Sequence, residues 1–240
     1  MVSVEKKNKL IVIFLIILTL SVVGVCIYSV INNKKENKDA IKFRNEYSEL
    51  NGQINELNQK EYVNVSISDN NTVKYINEKK AVELLESGTG IIYFGFNKCP
   101  WCRSIVETLT NVCKDNNETL YYLDISDIRS TFELNEGEVS KIKDGSTGYY
   151  EILDILDEYL EDFSLTDAAG NVYDTGEKRL YAPTIVAFNN GSVTKMHVGT
   201  VSSQESGYDE LTEEEIKEFS NIVKDLIKSK KVNVCTSDKC

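Results

Sequence analysis

A run of apolar residues, Ile91-Ile92-Tyr93-Phe94-Gly95-Phe96, leads almost directly into Cys99-Pro100-Trp101-Cys102. A strand without polar alternation must be buried on both faces, so the chain has to place helices on either side of a central sheet. The segment that follows carries apolar residues at 102, 105, 106, 109 and 113, the spacing of one helix face. The two cysteines therefore fall where a buried strand ends and a helix begins. Pro100 suits the first helical position, where a backbone N–H has no partner within the helix.

The rest of the body reads as more strands and helices. Val63, Val65 and Ile67 alternate like an edge strand, and a second short strand is expected at 73–76. Residues 78–87 read as a helix stopped by Gly88 and Gly90, and residues 120–125 as another buried strand. A helix is expected over 149–163, with Ile152, Leu153, Leu156 and Leu160 inward. Strands at 184–188 and 193–198 flank Asn189-Asn190-Gly191, and an Asn-Gly step is a hairpin signal. Thr212 and Glu215 form a capping box that opens a last helix to about residue 229. This ordering predicts an α/β sandwich with a central mixed sheet.

Charge narrows the partners. The chain holds 27 basic and 38 acidic side chains, a net of -11. Residues 1–44 carry eight basic and three acidic ones, so the remaining body is strongly acidic. Such a body repels phosphate backbones, and no nucleic-acid partner is expected. The chain has one histidine, His197, and six cysteines, at 26, 99, 102, 113, 235 and 240. A tetrahedral zinc would need two further ligands beside Cys99 and Cys102. His197 or the distant Cys235 and Cys240 lack the spacing of a ribbon or finger, so no metal and no cofactor is expected. Cys113, on the apolar stripe of its helix, reads as a buried inert thiol. Cys235 and Cys240 read as a surface disulfide or as a mobile dithiol.

Residues 10–33 contain 24 residues without a charge. As a helix this run rises about 36 Å, enough for a bilayer core of roughly 30 Å. The expectation is a single-pass plasma-membrane anchor of the signal-anchor kind, with lipid contact through residues 10–31 and the body outside the cytoplasm. Residues 34–61 carry Ala40, Phe43, Tyr47, Leu50, Ile54 and Leu57 at spacings of three and four. That stripe suits a helical stalk, packed on the body or paired in a weak dimer. The expected division is 1–33 tail and anchor, 34–61 stalk, 62–231 main domain with an insertion-bearing region at 126–180, and 232–240 a tail with two cysteines.

Two pieces, IIYFGFNKCPWC and APTIVAFNNGSVTKMHVG, carry a resemblance. From about residue 63 to 229 the sequence resembles the thioredoxin-like superfamily, and in general look the membrane-anchored bacterial thiol–disulfide proteins of the bacteriocin-transport accessory type. The resemblance implies a thioredoxin-like sandwich with an inserted helical segment. It makes Pro183 the cis-proline that faces the dithiol, with Ala182 pairing to substrate and Thr184 opening the next strand. Gly191 and Gly199 match the glycines of the last hairpin. One departure is Tyr93, which stands where thioredoxins carry a buried Asp. Another is the Pro100-Trp101 dipeptide, where thioredoxin itself has Gly-Pro.

The chemistry expected of the pair is thiol–disulfide exchange. A helix N-terminus stabilises a thiolate, and Lys98 adds a positive charge beside Cys99. Cys99 would attack a substrate disulfide, Cys102 would resolve the adduct, and Trp101 would present a flat apolar surface. The expected partners are protein thiols or disulfides of exported or surface proteins and a redox partner that recycles the pair. A second reading is a non-catalytic thioredoxin-like module that holds a secretion or transport partner. Peroxide reduction is a third, without support in the surrounding residues.

Overall fold

The computed structural model describes residues 4–231, with the side chains at 4–12, 26–27 and 29–37 left outside that description. The two-cysteine tail at 232–240, with Cys235 and Cys240, lies outside the described residues.

Residues Val4–Ser48 form one helix, α1. The uncharged run expected as a membrane anchor is the middle of this helix rather than an element of its own, and its side chains at 13–25 are exposed. Among the described residues no helix is long and apolar enough to cross a membrane. The expected anchor, the lipid contact through residues 10–31, the single-pass plasma-membrane placement and the extracytoplasmic body are therefore not borne out. The expectation had isolated an uncharged stretch from a helix that continues through polar residues into the body.

The C-terminal turns of α1 belong to the core. Ala40, Phe43 and Tyr47 are fully buried, and Phe43 packs edge-on against Tyr122 at 4.8 Å between ring centroids. The stripe expected as a dimer seam is thus occupied within the chain, and the stalk-mediated dimer loses its surface. Beyond the helix the stripe ends, with Ile54 and Leu57 exposed.

A five-stranded sheet organises the body. Its strands are β1 (Val73–Tyr75), β2 (Gly90–Gly95), β3 (Leu120–Asp124), β8 (Thr184–Asn189) and β9 (Ser192–Val198), in the order β1-β3-β2-β8-β9. The first three run parallel, while β8 and β9 are antiparallel to their neighbours. Side chains alternate cleanly between the two faces. Ile91, Tyr93, Leu120, Tyr122, Ile185 and Ala187 face a core shared with α1, α3 (Pro100–Asp115) and α5 (Glu213–Ser229). Ile92, Phe94, Leu123, Val186 and Phe188 face α2 (Glu78–Ser87) and α4 (Thr147–Ile155). The continuous apolar pattern of β2 follows from burial on both sides. The mixed sheet with helices on each face is as expected; the anchor in front of it is not.

Local rules set the element ends. Asn77 caps α2 by accepting the Lys80 N–H. Thr212 and Glu215 complete the capping box of α5, which satisfies two of the N–H groups a helix start leaves unpaired. Gly191 turns the β8–β9 hairpin at φ +76°, and a Cβ there would lie 2.0 Å from the Glu86 carbonyl oxygen, so only glycine fits.

Three segments differ from expectation. Residues 63–67 form no strand; the Asn51 side chain instead donates to Val65 O at 2.8 Å and accepts from Val65 N–H at 2.9 Å. One amide side chain thereby does the work of a neighbouring strand. The helix expected over 149–163 ends at Ile155 and passes through a 3-10 turn, Asp157–Tyr159, into β6 (Asp162–Thr166). Its predicted inward residues remain buried. The region 126–180 is mainly two hairpins rather than helix: β4 (Thr131–Asn135) with β5 (Glu138–Lys143), and β6 with β7 (Val172–Lys178).

Candidate active site

Cys99 is the N-cap of α3 and Pro100 follows at its first turn. The Cys99 sulfur accepts the Cys102 N–H at 3.2 Å, and its own thiol faces the Ala182 carbonyl at 3.5 Å. Ala182 precedes Pro183 through a cis peptide bond at the start of β8, with Thr184 buried behind it. The structure therefore brings Cys99, Pro100, Cys102, Ala182 and Pro183 together from two places distant in sequence. Cys99 is only 4% exposed and Cys102 fully buried, whereas Trp101 is 37% exposed. The indole is the accessible part of the motif. Gly207 approaches so closely that a Cβ there would lie 2.7 Å from the Trp101 backbone nitrogen.

Both cysteines are free thiols, and they are electrostatically unequal. Burial alone would push the Cys99 thiol up. Hydrogen bonds from the Cys102 thiol and N–H, the Arg129 charge and the Trp101 N–H outweigh it and hold Cys99 below the ordinary thiol value. Cys102 lies well above that value because of burial, reinforced by its hydrogen bond to Cys99 and by the Cys99 charge. Cys113 is also raised, chiefly by burial, in keeping with an inert thiol.

This difference predicts a pH profile. A lowered pKa means that thiolate, the reactive form, persists to lower pH. Alkylation of Cys99 by iodoacetamide should therefore reach half its maximal rate below the roughly 8.5 of an unperturbed cysteine. Cys102 should stay unmodified across the same range. Peptide mapping after timed labelling reads both sites; equal labelling of the two, or a midpoint above the ordinary value, would contradict the asymmetry.

The cation with the larger effect on Cys99 is Arg129 rather than Lys98, whose side chain is exposed. Arg129 has no motif signature, but topology places it. Because β2 and β3 are parallel neighbours, the residues after each strand emerge side by side, and Arg129 packs its guanidinium 5.1 Å from the Phe96 ring centroid. Lys98 instead helps line a groove of about 400 Å³ with Ile54, Leu57, Tyr62 and Phe96.

No family model and no curated protein matches the chain. The thioredoxin-like assignment, and the membrane-anchored accessory type named with it, are thus unsupported. Among the described residues no histidine or carboxylate hydrogen-bonds either sulfur, and His197 bonds the Thr200 carbonyl instead.

The residues beneath the pair are phenols. Tyr93 opposes in part the upward shift of the Cys102 thiol, and its hydroxyl lies 3.0 Å from that of Tyr47 on α1. Its ring lies over Gly95, where a Cβ would come within 2.5 Å of it. Burial pushes both phenols well above their ordinary value, so they remain protonated hydrogen-bonding groups. A second unforeseen residue is Arg103, 1% exposed. It donates to Val63 O at 3.0 and 2.6 Å, to Tyr47 O at 2.7 Å and to Asn51 Oδ1 at 2.8 Å. These bonds tie the end of α1 and the 51–63 segment to the first turn of α3.

Proposed function

We propose that the protein catalyses thiol–disulfide exchange, with Cys99 as the nucleophile and Cys102 as the resolving thiol. The observation that carries this reading is the geometry at the start of α3, where Cys99 caps the helix and accepts the Cys102 N–H at 3.2 Å while Cys102 lies fully buried one turn deeper. The membrane-tethered version acting on exported proteins is not retained, since no spanning helix is found among the described residues.

The steps balance without a further reactant. The Cys99 thiolate attacks a disulfide R–S–S–R′, forming Cys99–S–S–R and releasing R′–S⁻, which takes up a proton. Capture of Cys99 removes the negative charge that had opposed ionisation of Cys102. Cys102 then loses its proton and attacks the Cys99 sulfur, forming the Cys99–Cys102 bond and releasing R–S⁻. Two electrons pass from the dithiol to the substrate, and the reverse sequence oxidises a substrate dithiol.

Equilibrating the full chain in buffers of reduced and oxidised glutathione tests the proposal. Cys99 and Cys102 should lose and regain two electrons together, with a slope of about 30 mV per tenfold change in the redox ratio. Cys113 should remain alkylatable after unfolding at every ratio. A pair that never oxidises, or that oxidises irreversibly, would remove the enzymatic reading.

A further inference from the structure

The chain has an acidic excess of eleven, yet Arg129, whose charge acts on Cys99, and Arg179, on which Arg129 acts in turn, have no carboxylate within ion-pairing distance among the described residues. Arg129 lies on Phe96, three residues before Cys99, and its buried Nε has no hydrogen-bond partner. Arg179, three residues before Ala182, lies 4.1 Å from the Phe163 ring centroid and donates through Nη1 to Ser130 O at 3.3 Å. Arg179 thus reaches the segment that carries Arg129. Glu177, the acid that acts on Arg179, is held by Lys141 at 2.5 Å. Burial, and then the Arg129 charge, pull Arg179 below its ordinary value. Phe163 in turn packs edge-on against Tyr181, which is partly exposed next to Ala182.

Two like charges with apolar rings behind them, whose one nearby acid, Glu177, is already taken by Lys141, are a costly arrangement in the free protein. A bound anion relieves it, and the planar guanidinium fork matches a carboxylate. We infer that Arg129 and Arg179 form a carboxylate-binding subsite beside Cys99, selecting disulfides that carry an acidic group next to the attacked sulfur. This inference rests on the exchange reading above.

The test compares the reduced full chain on bis(2-carboxyethyl), bis(2-hydroxyethyl) and bis(2-aminoethyl) disulfide, each rate divided by that of free dithiothreitol on the same compound. A pair of cysteine-peptide mixed disulfides with Glu or Gln beside the cysteine forms a second arm. The corrected rates should favour carboxylate over hydroxyl by about tenfold, with the ammonium compound slowest. The ratio should fall to near one in Arg179→Gln and recover in part in Arg179→Lys. A preference in both arms assigns the subsite to any nearby carboxylate, and one confined to peptides assigns it to an acidic side chain. Exchange without any preference, or a ratio unchanged in Arg179→Gln, overturns the subsite and leaves the exchange reading intact. Failure of every disulfide to react with Cys99 overturns the exchange reading and this inference with it.

Discussion

Replacing Cys102 with Ser should give a protein that attacks a disulfide once and then stalls with substrate bound to Cys99. The nucleophile and the backbone N–H that supports it are unchanged by this substitution, so the first step survives. The second step loses a sulfur held one helical turn away, and only external thiol can then release the adduct. Intramolecular attack in a fixed geometry outpaces bimolecular attack by large factors. At millimolar external thiol the release should slow on the order of 10³-fold or more. Intact-mass analysis after quenching reads the adduct directly. Cys99→Ser should show none, since buried Cys102 is kept protonated. A wild-type-like release rate in Cys102→Ser, or an adduct on Cys102 in Cys99→Ser, would reverse the assigned roles.

Arg103→Leu should produce the second large effect, this time on stability. The guanidinium saturates three acceptors, Val63 O, Tyr47 O and Asn51 Oδ1. A leucine of smaller volume removes all four bonds and leaves Val63 O without its two side-chain donors, while Asn51 Oδ1 keeps the Val65 N–H and Tyr47 O keeps the Leu50 N–H. Loss of these charge-assisted bonds between three segments brings the expected loss to about 3 kcal/mol, or roughly 10 °C in Tm for a chain of this size. Arg103→Lys should recover only part, because a single ammonium cannot span acceptors on three segments. Urea denaturation of the three proteins measures both. A loss below about 1 kcal/mol for Arg103→Leu would mean that the 51–63 segment is held by other contacts.

Much of the sheet was legible because burial on two faces leaves an unmistakable pattern. Residues 91–96 and 184–188 have almost no polar side chains, and the structure places them as adjacent central strands. The pairing of the dithiol with Ala182-Pro183 came from a resemblance that no comparison supports, and spacing alone does not carry the 3.5 Å approach of Cys99 to the Ala182 carbonyl. The β4–β5 hairpin was legible in principle. Glu136 and Gly137 both have positive φ, the requirement of a tight primed turn, and Asn-Glu-Gly between alternating segments carried that signal. The 149–163 helix was overextended because Leu156 and Leu160 keep helical spacing although the chain has already passed into a 3-10 turn. Arg129, Arg179 and Arg103 could not be read from spacing, since their neighbours are set by strand order and by the path of loops. The uncharged run near the N-terminus misled for the opposite reason. Local composition describes a stretch of residues, while α1 is defined over 45 residues and by what its far end packs against.

That far end has a thermodynamic consequence. Through Tyr47, the docked end of α1 is hydrogen-bonded to Tyr93, the phenol that bears on the Cys102 thiol. Redox chemistry at the sulfur and seating of the helix then share one closed cycle. Any factor by which oxidation alters the docking equilibrium must reappear as an equal factor by which undocking alters the dithiol–disulfide equilibrium. A boundary drawn at residue 61 would cut through this cycle, removing Ala40, Phe43 and Tyr47 from the interior. The smallest unit that keeps this interior intact therefore begins before residue 40, within the helix rather than after it.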